Sequence, residues 1–240
     1  MTLWIVLILL LWFAWAVLVR WIVGVRPRGD DGYASAVVRL FQVYARRWQR
    51  TTYEGLGHIP GADAGGSPDE PLIVVCNHTA GIDPVLVQAA CPFEVRWMMA
   101  LDMRVRFMEG IWKYGRILFV DRENPTGMEL REAMAHVKGG GVLGVFPEGG
   151  IARPSGSPGE LLPFREGVGL MVRRTGALVL PVAITGTPVS PSAWGSIWRR
   201  SRNGARVRFL ETTRFGRETD AKAITAALEE TIASALRSMR

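Results

Sequence analysis

The chain opens on an almost unbroken apolar run. Met1 to Val19 carries no charged side chain, and Trp21 to Val25 continues the run beyond a single Arg20. As a helix rising 1.5 Å per residue it would be roughly 34 Å long, enough to cross a hydrocarbon core of about 30 Å. Arg20 lies near one end, where its side chain can reach the headgroups. A cleaved signal peptide fits poorly: no basic segment precedes the run, the run is too long, and no small-residue cleavage site follows. The pattern predicts an uncleaved membrane anchor. From Tyr33 to Tyr53 the period changes. Tyr33, Val37, Leu40, Phe41, Tyr44 and Trp48 recur at three- and four-residue spacing, with Arg39, Arg46, Arg47 and Arg50 on the remaining circumference. This predicts a basic amphipathic helix, suited to the plane of an anionic membrane surface or, alternatively, to covering the core of a domain.

Residues 61–71 are rich in Gly, Pro, Ser and Asp and predict a loop. Beyond it, short β-branched runs alternate with helical periods. Strands are predicted at Leu72–Cys76, Val95–Met99, Arg116–Val120, Val142–Phe146, Leu178–Ile184 and Arg206–Glu211. Helices are predicted at Val85–Ala90, Met103–Lys113, Thr126–Val137, Val168–Thr175 and Asp220–Met239. Such alternation predicts an α/β fold, a mixed, largely parallel sheet flanked by helices, behind the N-terminal membrane-anchoring segment. The expected division is 1–53 for the anchoring helices and 54–240 for the main domain. Pro181 interrupts its strand and cannot donate to a ladder, so it predicts an edge strand, a bulge or a wall.

Charge adds an orientation. Of the formal +7, a net +5 falls in residues 1–50, where seven arginines face Asp30 and Asp31. The basicity is membrane-proximal, which argues against a nucleic-acid groove. Bases that follow the apolar run, with none before it, predict a main domain on the cytoplasmic side. Cys76 and Cys91 sit in apolar contexts and read as reduced core thiols.

The chemistry concentrates where predicted strands end. Asn77-His78-Thr79-Ala80-Gly81-Ile82-Asp83-Pro84 follows the strand Leu72–Cys76. On a helix His78 and Asp83 would point about 140° apart, so they meet only across a turn, which Gly81 permits. An imidazole oriented by a carboxylate is a general base for a hydroxyl near neutral pH. Asp83-Pro84 also reads as an ordinary helix start, with Asp83 as N-cap. Arg122, after Ile117–Val120, could clamp a phosphate or simply pair with Asp121. In Phe146-Pro147-Glu148-Gly149-Gly150, Glu148 could accept hydrogen bonds from substrate hydroxyls while Gly149 allows close backbone approach; a plain tight turn is the alternative. Arg165, in Phe164-Arg165-Glu166-Gly167, is a second candidate anion ligand near a helix start.

Taken in order, Asn77-His78…Asp83, Gly115…Asp121-Arg122, Phe146-Pro147-Glu148-Gly149 and Leu180-Pro181-Val182 closely resemble the glycerolipid acyltransferase family, which includes 1-acylglycerol-3-phosphate acyltransferases. The resemblance runs from about Tyr53 to the C-terminus. One departure is visible: the family commonly has Thr-Arg after Pro-Glu-Gly, whereas here Gly150-Ile151 intervenes and Arg153 is the candidate replacement. The resemblance implies a glycerol-3-phosphate acyltransferase-like fold and transfer of an acyl chain to the free hydroxyl of a lysophospholipid at the membrane surface. The donor would be an acyl thioester of coenzyme A or acyl carrier protein, a co-substrate rather than a bound cofactor. His78 would act as base and Asp83 would orient it. Arg122, Arg165, Arg153, Glu148 and Gly149 would hold the acceptor. Other acceptors, glycerol 3-phosphate or a lyso-aminolipid, fit the same motifs. A membrane-anchored hydrolase or metal enzyme is disfavoured by three scattered histidines and the lack of metal-ligand or nucleophile-elbow spacing. A non-catalytic scaffold is disfavoured by the intact His78 and Asp83.

Overall fold

The computed structural model of the chain describes residues 2–61, 68–121, 127–151, 161–190, 192 and 194–239. Its strands are β1 (Thr52–Glu54), β2 (Leu72–Cys76), β3 (Arg96–Ala100), β4 (Leu118–Val120), β5 (Val142–Val145), β6 (Leu178–Thr185) and β7 (Arg206–Phe209). Among the described residues they form one sheet in the order β1-β7-β6-β2-β5-β3-β4. Only β6 and β7 pair antiparallel. The mixed, largely parallel α/β sheet read from the sequence is therefore the fold observed.

The helices are α1 (Thr2–Val23), α2 (Gly32–Val43), α3 (Asp83–Ala90), α4 (Glu109–Tyr114), α5 (Met128–Lys138), α6 (Gly167–Thr175), α7 (Gly195–Trp198) and α8 (Ala221–Ser238). β2 lies at the centre, with all five residues buried. Leu72, Val74 and Cys76 join one core cluster, with Leu86 and Val87 of α3 and Val38's neighbour Phe41 of α2. Ile73 and Val75 join another with α5, α6 and α8. A central strand covered on both faces must be apolar at every position, which is why it reads as a continuous run. Both cysteines are buried and free, and burial pushes the Cys91 thiol up to about 12.

Several boundaries differ from the sequence pattern. The amphipathic helix ends earlier than Tyr53: α2 passes into a single π turn over Tyr44–Trp48, Arg50 takes a left-handed backbone (φ 52), and the chain enters β1. Its apolar stripe also divides. Phe41 and Tyr44 pack on the core, whereas Tyr33, Leu40 and Trp48 are exposed. The single helix expected over Met103–Lys113 is instead broken: residues 101–114 form two 3₁₀ turns and the short α4. β4 starts two residues late because Arg116 is left-handed (φ 49). Pro181 is not on an edge, since β6 has β2 on one side and β7 on the other. It sits at a bulge. Val182 pairs with Phe209 but Val179 pairs with Thr213, so 180–181 face 210–212 and the missing donor falls where the ladder is already broken.

α1 is the one helix among the described residues long and apolar enough to cross a membrane. Every large apolar side chain from Trp4 to Val19 is exposed, consistent with membrane association. The turn joining it to α2 is fastened to the domain. Arg28 pairs with Glu94 and donates to the Tyr114 carbonyl (2.9 Å), and the Glu94 amide donates to the Pro27 carbonyl (2.8 Å). The Tyr114 hydroxyl donates to Asp31 (2.8 Å), whose other oxygen caps α2 through the amides of Tyr33 and Ala34.

On the opposite face, α6 and α8 touch at Gly169. A Cβ there would lie 1.9 Å from the Ala221 carbonyl oxygen, so a side chain must force the helices apart. Gly169→Ala should destabilise the protein by about 1–3 kcal/mol. A thermal melt of the detergent-solubilised variant checks this, and an unchanged midpoint would show that the contact yields freely.

Candidate functional site

The register of the sheet assembles the site. β2 pairs with β5 so that Val75 lies beside Val145, which carries His78 and Glu148 out of the sheet side by side. β2 pairs with β6 so that Cys76 lies beside Val182, which brings Asn77 level with the end of β6. There the Asn77 side chain accepts from the Ile184 amide (2.7 Å) and donates to the Ile184 carbonyl (2.9 Å). An amide side chain thus continues the ladder after the strand has ended and fixes the residue before His78.

His78 and Asp83 meet across the turn. His78 Nδ1 is 2.9 Å from Asp83 Oδ2. The same oxygen accepts from the amides of Thr79 (2.7 Å) and Ala80 (2.8 Å). Asp83 is fully buried and begins α3, yet that helix receives no side-chain cap. The carboxylate is turned away from its own helix and onto the imidazole and the loop, which separates the orienting reading from the ordinary N-cap reading. With Nδ1 engaged, Nε2 is the nitrogen left for chemistry. Thr79 Oγ1 lies 2.6 Å from Thr187 Oγ1, a second tie from this loop to the segment after β6.

The imidazole face is supported by aromatic rings. His78 stacks on Phe146 (centroids 4.1 Å apart, 23° between planes), and Phe146 stacks on Trp97 (5.1 Å, 17°). Trp97 lies over Gly144, where a Cβ would come within 2.4 Å of the indole. Sequence reasoning missed this stack. Its one signal was a glycine inside the strand Val142–Val145, a mark of close approach by another group.

Glu148 is buried, and its two oxygens accept from the amides of His78 (2.6 Å) and Leu162 (3.0 Å). It therefore ties the histidine loop to the segment carrying Arg165. Burial pushes its carboxyl up to about 7, the amide hydrogen bonds opposing this only in part. The Arg165 amide donates to the Pro147 carbonyl (2.9 Å), and its guanidinium crosses Gly149, where a Cβ would lie 2.3 Å from Nε. Gly149 also has a left-handed backbone (φ 71), so both conformation and space require glycine there. The structure brings His78, Asp83, Glu148, Gly149 and Arg165 together. Arg122 and Arg153 lie outside the described residues.

His78, Gly149 and Arg165 are among the residues lining a cleft of about 1770 Å³. The rest of the cleft is largely apolar, walled by Met98, Met99, Ile111, Trp112 and Ile197 and by Val37, Leu40 and Phe41 of α2. Among the described residues no three His, Cys, Asp or Glu side chains gather as a metal site would require.

An imidazole held by a buried carboxylate, lining a largely apolar cleft on the carboxyl edge of an α/β sheet, suits chemistry on a molecule that is mostly hydrocarbon. Comparison with known proteins gives the family. The profile of the family described as Acyltransferase matches residues 50–185, and the chain belongs to that family. It is 22% identical over 136 residues to the 1-acyl-sn-glycerol-3-phosphate acyltransferase of Bacillus subtilis (strain 168). That stretch is 56% of this chain and 63% of the relative, so less than two thirds of the relative's length is spanned. The fold is similar to that of the crystal structure of the 1-acyl-sn-glycerophosphate (LPA) acyltransferase, PlsC, from Thermotoga maritima. The TM-score is 0.66 at 20% identity, over 97% of this chain and 95% of that one.

The raised Glu148 value gives a test of its burial. The native state keeps this proton from about 4.5 to about 7, a window in which the unfolded chain has lost it. The stabilisation from this group is full below the lower value and is lost as pH rises through the upper, on the order of 3 kcal/mol in all. Glu148→Gln removes the titration. The melting temperature of the parent minus that of the variant should therefore fall between about pH 4.5 and 7. A flat difference would mean that the carboxyl does not titrate in that window.

Proposed function

We propose that this protein transfers an acyl chain from an acyl thioester to the free hydroxyl of 1-acylglycerol 3-phosphate at a membrane surface, forming phosphatidic acid. The observation that carries the reading is the buried Asp83 carboxylate turned onto Nδ1 of His78, which lines a largely apolar cleft. The family and the name of the Bacillus subtilis relative point the same way.

In this reading Nε2 of His78 takes the proton of the acceptor hydroxyl as its oxygen attacks the thioester carbonyl carbon. The carbon–sulfur bond then breaks, and the proton passes to the departing thiolate of coenzyme A or acyl carrier protein. Asp83 keeps the proton-bearing nitrogen of the ring at Nδ1 and stabilises the imidazolium that forms. An activated thioester needs no acyl-enzyme. The acyl chain lies in the apolar cleft. Arg165, with Arg122 and Arg153, holds the acceptor phosphate through planar forks that a lysine could not reproduce. Glu148 and Gly149 place the glycerol part. α1 anchors the chain, and the basic segment after it keeps the catalytic domain on the cytoplasmic side.

The test is transfer of a labelled acyl group by purified protein to a panel of lysolipids, glycerol 3-phosphate and lyso-aminolipids. Preference for 1-acylglycerol 3-phosphate is expected. His78→Ala should lose about 10²–10⁴-fold in turnover while remaining folded. Asp83→Asn should lose most activity because the imidazole is no longer held. A folded His78→Ala variant within tenfold of the parent would sink the mechanism, and thioester cleavage that ignores every acceptor would replace transfer with hydrolysis.

A further inference from the structure

Two segments far apart in sequence are welded into one surface beside the cleft. The Tyr44 hydroxyl donates to the Ile197 carbonyl (2.8 Å), and Gln49 Nε2 donates to the Arg199 carbonyl (2.8 Å). Arg200 Nε donates to the Trp48 carbonyl (3.1 Å). Gln49 is fully buried, and its oxygen accepts from both the amide and the hydroxyl of Ser201. These bonds fix α7 and the residues after it against the π turn at 44–48.

What this rigid surface shows to solvent is unusual. Trp198 is 81% exposed, and Leu40 and Trp48 are also exposed. Arg46, Arg47, Arg199, Arg200 and Arg202 are exposed around them. Neither 32–53 nor 186–206 contains a carboxylate. An indole on a loose loop could fold back onto the protein, but this one is held outward by bonds through its neighbours. Exposed tryptophan among arginines without acids matches the boundary of an anionic bilayer, where the ring sits at headgroup level and the guanidiniums meet lipid phosphates. The surface is also continuous with α1, because Arg39 of α2 donates to the Trp21 carbonyl (2.7 Å) and lies over the Trp21 ring.

We propose that residues 195–202 and the π turn form a second contact with an anionic lipid surface, apart from α1, which seats the mouth of the cleft on the bilayer with Trp198 at the headgroup boundary. The proposal rests on the reading that the cleft takes a membrane lipid, but its physical test does not require turnover. Cys76 and Cys91 are buried, so in the full-length protein a thiol-reactive fluorophore reports on Trp198→Cys alone. Thr231→Cys, exposed on α8 across the sheet, is the control. On reconstitution into phosphatidylcholine vesicles containing phosphatidylglycerol, the label at 198 should shift to the blue and be quenched by brominated lipid, while the label at 231 should not. Adding Arg47→Glu and Arg202→Glu should reverse that shift. It should also lower activity on vesicle-embedded lysolipid by roughly fivefold while sparing a short-chain, water-soluble acceptor. Equal responses at 198 and 231, or no response at 198, would overturn the contact. So would a label at 198 that ignores vesicles but responds to an acidic acyl carrier protein, which would make this a protein-docking surface. Failure of the acyl-transfer assay alone, with the fluorescence result intact, would instead remove the reaction and leave the lipid contact standing.

Discussion

The geometry of the site depends on where one buried carboxylate spends its lone pairs. Asp83 stands at the start of α3, where the usual arrangement would aim its oxygens at the amides of the next turn. Its Oδ2 instead gathers Thr79 N, Ala80 N and His78 Nδ1. A carboxylate with no contact with water must be fully satisfied, and here only the loop ahead of it can do so. The loop is consequently folded around a single oxygen, and the imidazole is held by the same bonds that hold the loop. The orientation of His78 follows from the need to satisfy a buried charge.

That arrangement is passed upward from the sheet. A slip of one residue between β2 and β5 would separate His78 from Glu148, and a slip against β6 would detach Asn77 from Ile184. Register is strongly specified where both faces of a strand are buried, because a slip would exchange the two sets of packed side chains. The apolar core of β2 therefore does positional work for residues beyond its own end. Trp97 and Phe146 extend the same control to the ring face, since Trp97 reaches its place only above the bare backbone of Gly144.

Much of this was legible in the sequence because it rests on local pattern. The strand Leu72–Cys76, the helix over 221–238 and the apolar first segment each declare themselves by period and length. The His78–Asp83 contact was one of two readings open in the sequence, since Gly81 permits the turn it needs, and the helix-cap alternative could not be set aside without the structure. The partners of Glu148 could not be anticipated, because they depend on the register of β2 with β5 and on a return of the chain at Leu162. The break in the expected helix Met103–Lys113 and the end of α2 escaped for a related reason. Helical period continues through both stretches, but Gln49 is drawn off to bond with Arg199 and Ser201, and Arg50 turns left-handed. Tertiary contacts override local preference there. Edge strand β1, three residues long, has too little pattern to be read alone.

The same distinction bears on how the apolar first helix relates to the cleft. The apolar segment 1–25 is joined to the rest of the chain by a stretch containing Pro27, Gly29 and Gly32. In the structure that stretch is bound on several sides. Arg28 is held by Glu94 and the Tyr114 carbonyl, Pro27 accepts from Glu94, and Asp31 joins Tyr114 to the start of α2. Glu94 immediately precedes Val95 and β3, and both Glu94 and Tyr114 line the cleft. A flexible tether would leave the cleft free to face any direction relative to a bilayer. A turn ion-paired to the wall of the cleft fixes the orientation of α1 relative to the cleft, so whatever holds α1 also sets the direction in which the cleft and His78 face.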